Sequence, residues 1–196
     1  MQNNKQKYNG QQGDVLKGLA AGLIGGLIAS WTMSEFQSLW SKLSEAGEKS
    51  KGAKASPQNA QSGKDKNEQQ QPQGESEKQE PATIKVAEAI SENVFHHELS
   101  KGEKKIAGPS VHYAMGATSG AIYGVVSELV PFVTVGAGLP FGAAVWLTAD
   151  EAALPALGFS KSPTEYPLST HAYALASHFV YGLTTDMVRR AVRNAL

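Results

Sequence analysis

Ionisable side chains stand within long segments of this sequence that otherwise carry no charge. His112 lies near the start of one such segment, and Glu128 closes it. Residues 112, 116, 120, 124 and 128 recur every four positions, so both groups belong to one helical face, about 24 Å apart along the axis. At that separation they cannot share a proton or a metal ion within one helix. Each therefore needs a partner from another helix or from an interface.

The chemistry that histidine would bring to the last such segment is proton transfer. His178 falls near the middle of an uncharged run, and His171 precedes it by seven residues on nearly the same helical face. Imidazole titrates close to physiological pH, and an ionisable group deep in an apolar segment is costly enough to suggest a function. The structural alternative is a neutral His178 hydrogen-bonded to a serine, threonine or tyrosine of a neighbouring helix.

Charged residues after the same segment predict an anchor at the helix end. Asp186 stands three and four residues before Arg189 and Arg190, a spacing that allows ion pairs within one helix. Arg193 extends the basic stretch. We expect these three arginines to hold the helix end at a membrane surface.

The sequence lacks the residues that several types of enzymatic reaction need. The sequence has no cysteine, HExxH, GxSxG or phosphate-binding glycine loop, and Ser177 beside His178 is not a catalytic triad. The adjacent His96, His97 and Glu98 would point in different directions on a helix, which favours a solvated helix end over a metal site. We therefore expect no enzyme activity, no metal and no cofactor. Because 18 basic residues balance 18 acidic ones, we also expect no nucleic acid partner.

Four uncharged runs are long enough to cross a membrane. They measure 17, 22, 21 and 20 residues, and about 20 helical residues span a hydrocarbon core about 30 Å thick. None shows the polar face of a soluble helix, although their glycine and alanine content keeps a soluble protein as the alternative. We predict an all-α, integral membrane four-helix bundle in contact with the lipid bilayer. The runs are 18–34, 106–127, 129–149 and 166–185.

Two of these runs admit a second interpretation. The first follows Lys5 and Lys7, so a signal peptide is the alternative to a retained anchor. The third has Pro140 in its interior, which removes a backbone hydrogen bond and leaves a re-entrant segment as the alternative. Pro131 and Phe132 connect the second and third runs so closely that we expect antiparallel neighbours.

Small residues line one face of three predicted spans. Glycines spaced by four residues let helix backbones approach, and van der Waals contact then drives association in lipid. We predict that these faces pack helices together, either within the chain or in a homo-oligomer or larger membrane complex. The residues are Gly18, Gly22, Gly26, Gly116, Gly120, Gly124 and Gly182.

Composition divides the chain into five segments. Residues 44–83 contain no Val, Ile, Leu, Met, Phe, Trp or Tyr, and a segment that cannot bury a core is predicted to be disordered. Apolar residues at helical spacing from Ile84 onward predict an amphipathic helix along the membrane surface. The segments are a polar tail (1–13), transmembrane helix 1 (14–40), a disordered polar linker (41–83), an interfacial helix (84–105) and a membrane domain with helices 2 to 4 (106–196).

Basic residues near both ends favour cytoplasmic termini by the positive-inside rule. Four spans place both termini on one side of the membrane. The helix directions then gather ionisable side chains at opposite ends of the bundle. The outer group is Glu35, His112, Asp150, Glu151 and His171, and the inner group is Glu128, Asp186, Arg189 and Arg190.

The second and fourth spans resemble those of a known family. The residues that carry the resemblance are His112, Tyr123, Val125, Val126, Glu128 and Pro131, followed by His178, Asp186, Arg189, Arg190, Arg193 and Asn194. In type and spacing they resemble the YagU family, which implies a multi-pass protein of the bacterial inner membrane and no known molecular function. We expect a small structural, accessory or stress-related membrane protein. The alternative is a protein that handles protons or ions with intramembrane histidines and carboxylates.

Overall fold

The computed structural model describes residues 2–52 and 80–196, with side chains for 13–46 and 80–196. Over these residues the chain is helical and contains no strand, which confirms the all-α prediction for the part described. The helices are α1 (Gln2–Gly52), α2 (Ala82–Ile90), α3 (Lys101–Leu129), α4 (Leu139–Trp146), α5 (Leu154–Ala156) and α6 (Leu168–Ala195).

Four long helical segments run alternately up and down. Gly18 of α1 lies beside Gly124 of α3, whereas Gly26 lies beside Gly116, so these two helices are antiparallel. α6 is also antiparallel to α1, because its C-terminal Arg193 bonds Asp14 near the start of α1. α4 runs against α6. The start of α1 and the end of α6 therefore lie at one end of the bundle, which we call the terminal end.

α1 is longer than the predicted span of 14–40. Within it, Gly13–Ala46 is long and apolar enough to cross a membrane, and it is the only such helix in the described part of the chain. The helix also continues through residues 41–52, which were assigned to the linker. That stretch contains no proline and consists mostly of Ser, Lys and Glu, so no residue in it blocks a helix. The rest of the predicted disordered linker, residues 53–79, lies outside the described residues.

The predicted interfacial helix over 84–105 is divided into two parts. α2 ends in a π-helical turn (Ser91–Phe95), and His96 adopts a left-handed conformation with φ 53°. A new helix starts after Ser100, whose hydroxyl and backbone amide pair reciprocally with Glu103. This capping box starts a new helix and so divides the predicted one. Hydrogen bonds from Ser100 to the Glu103 carboxylate lower the pKa of Glu103 to about 2.

α2 folds back along the first turns of α3. Ile84 packs directly over Gly108, where an added Cβ would lie 2.7 Å from the Ile84 side chain. Lys104 of α3 pairs with Glu88 and, at 3.0 Å, with Glu80. The amphipathic segment is thus held by one neighbouring helix through an apolar contact and two ion pairs.

Pro140 does not interrupt the third helix, contrary to the prediction. It occupies the first turn of α4, where an amide N–H would have no acceptor within the helix. Before it, the chain forms a short 3₁₀ helix (Pro131–Thr134) and three left-handed residues, 136 to 138. The helix then continues from Leu139 through a π-helical segment (Leu147–Ala153) to Ala156, which is 18 residues or about 27 Å.

The interior of the bundle is small and polar, and the outside is apolar. Leucine, isoleucine and tryptophan side chains of α1, including Leu23, Leu27 and Trp31, are exposed. In soluble proteins, large aliphatic residues are among those most often buried and polar ones are mostly exposed. The polar residues that this bundle buries are Ser30, Ser91, Ser127, Ser177, His178, Thr185, Asp186 and Arg189.

Candidate functional site

Glycines bring the backbones of α1 and α3 into direct contact. A Cβ added to Gly22 would lie 2.8 Å from the Gly124 Cα atom, and one added to Gly120 would lie 2.7 Å from the Gly26 Cα atom. No real Cβ tolerates such distances, so each position admits only glycine unless the helices separate. Gly18 and Gly116 continue the same contact at its two ends. The structure thus places six of the seven glycines singled out in the sequence at one interface within the chain.

A second glycine contact joins α4 to α6. A Cβ on Gly182 would lie 2.9 Å from the Gly142 Cα atom, and one on Gly138 would lie 2.9 Å from the Asp186 Cβ atom. α4 therefore packs its backbone on α6. It meets α3 through side chains, with the Phe141 ring stacked 4.3 Å from that of Tyr123. The second and third spans are antiparallel and in contact, as expected, but the third makes its backbone contacts with the fourth.

Asp186 is the centre of an ion cluster at the terminal end. Its side chain is 1% exposed, and its two oxygens accept from different arginines, Oδ1 from Arg189 at 3.1 Å and Oδ2 from Arg190 at 2.8 Å. The Tyr123 hydroxyl also donates to Oδ1, at 3.0 Å. Arg189 lies over the Tyr123 ring, 5.6 Å from its centroid. One carboxylate thus serves two guanidinium groups and a phenol.

Glu128 of α3 and Asp14 of α1 join the cluster through Arg193. Glu128 accepts from Arg193 Nε at 2.9 Å, and Arg189 lies 3.9 Å away. Arg193 also bonds Asp14 of α1 at 2.7 Å. The cluster therefore connects the ends of three helices. Because a charge buried without a partner is costly, these pairs favour the one helix arrangement in which every charge has a partner.

The opposite end of the bundle carries two contacts between histidines and carboxylates. The His171 ring lies 2.7 Å from Glu151, and its other nitrogen lies 3.0 Å from the Pro163 carbonyl oxygen. His178 donates from Nδ1 to the Ala174 carbonyl at 2.9 Å, with Asp150 3.7 Å from the same nitrogen.

Both carboxylates come from the π-helical segment Leu147–Ala153. Neighbouring residues on a regular α-helix point in different directions. In this wider turn, Asp150 and Glu151 reach histidines seven residues apart on α6. π-helical turns occur often at functional sites.

His112 makes its hydrogen-bond contact with α1 rather than with a carboxylate of either cluster. Its Nε2 lies 3.3 Å from the Ser30 carbonyl oxygen of α1. His112 and Glu128 lie on one helical face, as their spacing predicted, because the intervening Gly116, Gly120 and Gly124 all face α1. The two ionisable ends of that face nevertheless have separate partners.

An aromatic layer lies between the two clusters. The Tyr123 ring stacks on Phe141 with centroids 4.3 Å apart, and the Tyr181 ring packs against Phe141 at a tilt of 41°, with centroids 5.8 Å apart. Phe141 belongs to α4 between Gly138, which lies beside Asp186, and Gly142, which lies beside His178. The phenol of Tyr181 donates to the Gly116 carbonyl at 2.6 Å. In this conformation, the layer separates the histidine contacts from the ion cluster.

Sequence reasoning named Tyr123 only as part of the family resemblance and did not consider Tyr173 or Tyr181, although a sequence pattern marks all three. Each of three buried tyrosines is followed four residues later by a serine or threonine whose hydroxyl donates to the tyrosine carbonyl. These side chains then need no other partner in the interior, which makes them suitable for close packing. The pairs are Tyr123 with Ser127, Tyr173 with Ser177 and Tyr181 with Thr185.

Comparisons with known proteins add a family and no activity. A family model described as "Protein of unknown function (DUF1440)" matches residues 67–187, which include α2 to α5 and most of α6. No curated protein and no solved structure matches the chain. Among the described residues, no group of three or more His, Asp or Glu side chains is placed to hold a metal ion.

Proposed function

We propose that this chain, which belongs to the DUF1440 family of proteins of unknown function, is a multi-pass membrane protein with a structural or accessory role. In this proposal α1, α3, the helix from Leu139 to Ala156 and α6 all cross the bilayer. The resemblance to the YagU family extends the proposal to the bacterial inner membrane. The observation that carries it is the distribution of side chains, with leucines and isoleucines outside and Ser, Thr, His, Asp and Arg inside.

The glycine contacts support a structural role. They are used within the chain, where α1 meets α3 and α4 meets α6, so they are not free faces for another protein. Tight backbone contacts and ion pairs at one end favour a single rigid arrangement. Lipid or a membrane partner would then contact the apolar outer surface, for example Leu19, Leu23 and Leu27 of α1.

The alternation of helices predicts which loops share a side of the membrane. Because the chain has no cysteine, single cysteines can be introduced without altering a native one. In sealed inverted and right-side-out vesicles, we expect Phe132→Cys and Asn194→Cys to react with an impermeant maleimide from the cytoplasmic side. Glu98→Cys and Lys161→Cys should react only from the opposite side.

Each labelling outcome has a clear meaning. Reaction of all four cysteines from one side would contradict the proposal of four spans. Phe132 and Asn194 reacting from opposite sides would show that one helix does not cross. Detergent-solubilised protein serves as the control, since every position should then react.

A second candidate function is proton or ion handling, which the contacts of His171 with Glu151 and of His178 with Asp150 favour. The aromatic layer between these groups and Asp186 speaks against a continuous path in this conformation. Reconstituted vesicles with an internal pH-sensitive dye separate the two functions. A structural protein should give no more proton flux than empty vesicles. Flux that is lost in His178→Gln but kept in His97→Gln, which lies outside the bundle interior, would establish the second function instead.

The accessory role itself is tested by the state of the protein in native membranes. Extracted in mild detergent, it should purify as part of a larger assembly whose other members can be identified by mass. A chain that purifies alone, together with proton flux, would contradict the accessory role.

A further inference from the structure

Arg190 is the one arginine of the ion cluster whose side chain is about half exposed, at 51%. Its position is nevertheless fixed. Nε donates to Asp186 at 2.8 Å, and one terminal nitrogen donates to the Thr134 carbonyl at 3.1 Å. A guanidinium group has five N–H donors, so about three remain for another acceptor. Arg190 is thus a preorganised donor at the surface of the bundle.

The charge on Arg190 is only partly compensated. Its carboxylate partner, Asp186, is shared with the buried Arg189. The cluster's other interior carboxylate, Glu128, is engaged by Arg193. Two interior carboxylates therefore serve three arginines, and the third acidic group, Asp14, is an exposed residue that bonds Arg193 rather than Arg190. The three carboxylates and three arginines balance in number, but Arg190 has only a carboxylate that it shares with Arg189.

The surface next to Arg190 is apolar. Met187 and Leu183 precede it by three and seven residues, on the same face of α6, and are 61% and 39% exposed. On the side of the α3–α4 connection that supplies Thr134, Phe132 is 79% exposed and Val135 is 60% exposed. No Lys, Arg, Asp or Glu occurs from residue 129 to 149. A cationic group therefore stands at the end of an apolar strip.

We propose that Arg190 binds the phosphate of an anionic phospholipid, with an acyl chain lying along Met187 and Leu183. This inference rests on the proposed membrane location. A phosphate diester offers acceptor oxygens to the free guanidinium N–H groups. The apolar strip runs from Arg190 toward the middle of α6, the direction in which an acyl chain would extend from the membrane surface. A free phosphate ion has the charge but gains nothing from the strip, so the structure favours the lipid.

The test compares lipid retention by the intact chain and two variants. The full chain is placed in nanodiscs that contain phosphatidylcholine with a minority of phosphatidylglycerol, and bound lipids are counted by native mass spectrometry after release. We expect about fivefold enrichment of phosphatidylglycerol, the selectivity expected from one arginine near an anionic surface. Arg190→Gln should remove this enrichment, whereas Lys161→Gln at the other end of the bundle should leave it unchanged.

A second variant serves as a control in case Arg190→Gln misfolds through loss of its bond to Asp186. Met187→Glu leaves every ion pair of the cluster in place and sets a negative charge beside the lipid phosphate, so it too should abolish the enrichment. Equal retention of the two lipids by the unaltered chain would overturn the proposal. Inorganic phosphate that stabilises the detergent-solubilised chain against heat as well as phosphatidylglycerol does would also overturn it, in favour of a free anion. The cysteine-labelling experiment does not depend on these lipid measurements. A failure of the proposed topology can therefore be distinguished from a failure of lipid binding.

Discussion

Replacing Gly120 with alanine is expected to destabilise the bundle by about 3 kcal/mol, the upper range for overpacking a close contact. The added methyl would lie 2.7 Å from the Gly26 Cα atom and 2.9 Å from its nitrogen, and it would also overlap the Gly22 carbonyl oxygen. These are backbone atoms, so no side-chain rotation can relieve the clash. Only separation of α1 from α3 can accommodate it. The free energy of unfolding in mild detergent, from a denaturing-detergent titration, measures the effect.

Gly102 provides a matched control in the same helix. A Cβ there would find no atom closer than the Ser100 Oγ atom at 4.0 Å. Gly102→Ala should therefore raise the free energy of unfolding by up to about 1 kcal/mol, because alanine favours helix. If both variants changed stability in the same direction and by similar amounts, the contact between α1 and α3 would not be the tight one described. Gly120→Leu should prevent a stable bundle altogether.

Replacing Asp186 with asparagine is expected to cost about 3–5 kcal/mol, the usual effect of removing one partner from a buried ion pair. Asp186 is 1% exposed and serves Arg189, Arg190 and the Tyr123 hydroxyl. Without its charge, Arg189 remains buried with only Glu128 nearby, at 3.9 Å. The same denaturing titration measures the loss.

Asp14→Asn is the control for the Asp186 variant. Its partner Arg193 is shared with Glu128, and Asp14 itself is 56% exposed, so the change should stay within about 1 kcal/mol. The double variant Asp186→Asn with Arg189→Gln should be less destabilised than the sum of the two single changes, because the unpaired charge is then removed. Additive losses would show that Asp186 and Arg189 do not depend on each other.

Helix packing is the feature that the sequence predicted best. The four-residue spacing of Gly18, Gly22 and Gly26 and of Gly116, Gly120 and Gly124 requires only that each helix be regular, and the structure places the two series against each other. The spacing did not reveal that they are partners. Nor did it reveal that Gly182 pairs with Gly142 and Gly138, because those glycines flank Pro140, which suggested a break in the middle of the run.

For the ionisable groups, the sequence predicted pairing within one helix but not between helices. The pairing of Asp186 with Arg189 and Arg190 follows from spacing along one helix, and the structure shows these contacts. Partners from other helices, such as Glu128 for Arg193, depend on how the helices are arranged, which periodicity does not encode. The π-helical turn that presents Asp150 and Glu151 has no recognisable sequence pattern, so their contacts with His178 and His171 came from the structure alone.

The ion cluster has a consequence for how the protein is made. α1 and α3 leave the ribosome before α6, and α6 carries all three arginines that face Glu128 and Asp186. Until α6 is synthesised, Glu128 stands at the end of α3 without the guanidinium groups that pair with it. A chain interrupted before α6 would therefore lack the guanidinium groups that compensate Glu128. The ion pairs that tie α3 to α6 can thus form only after the last helix is complete.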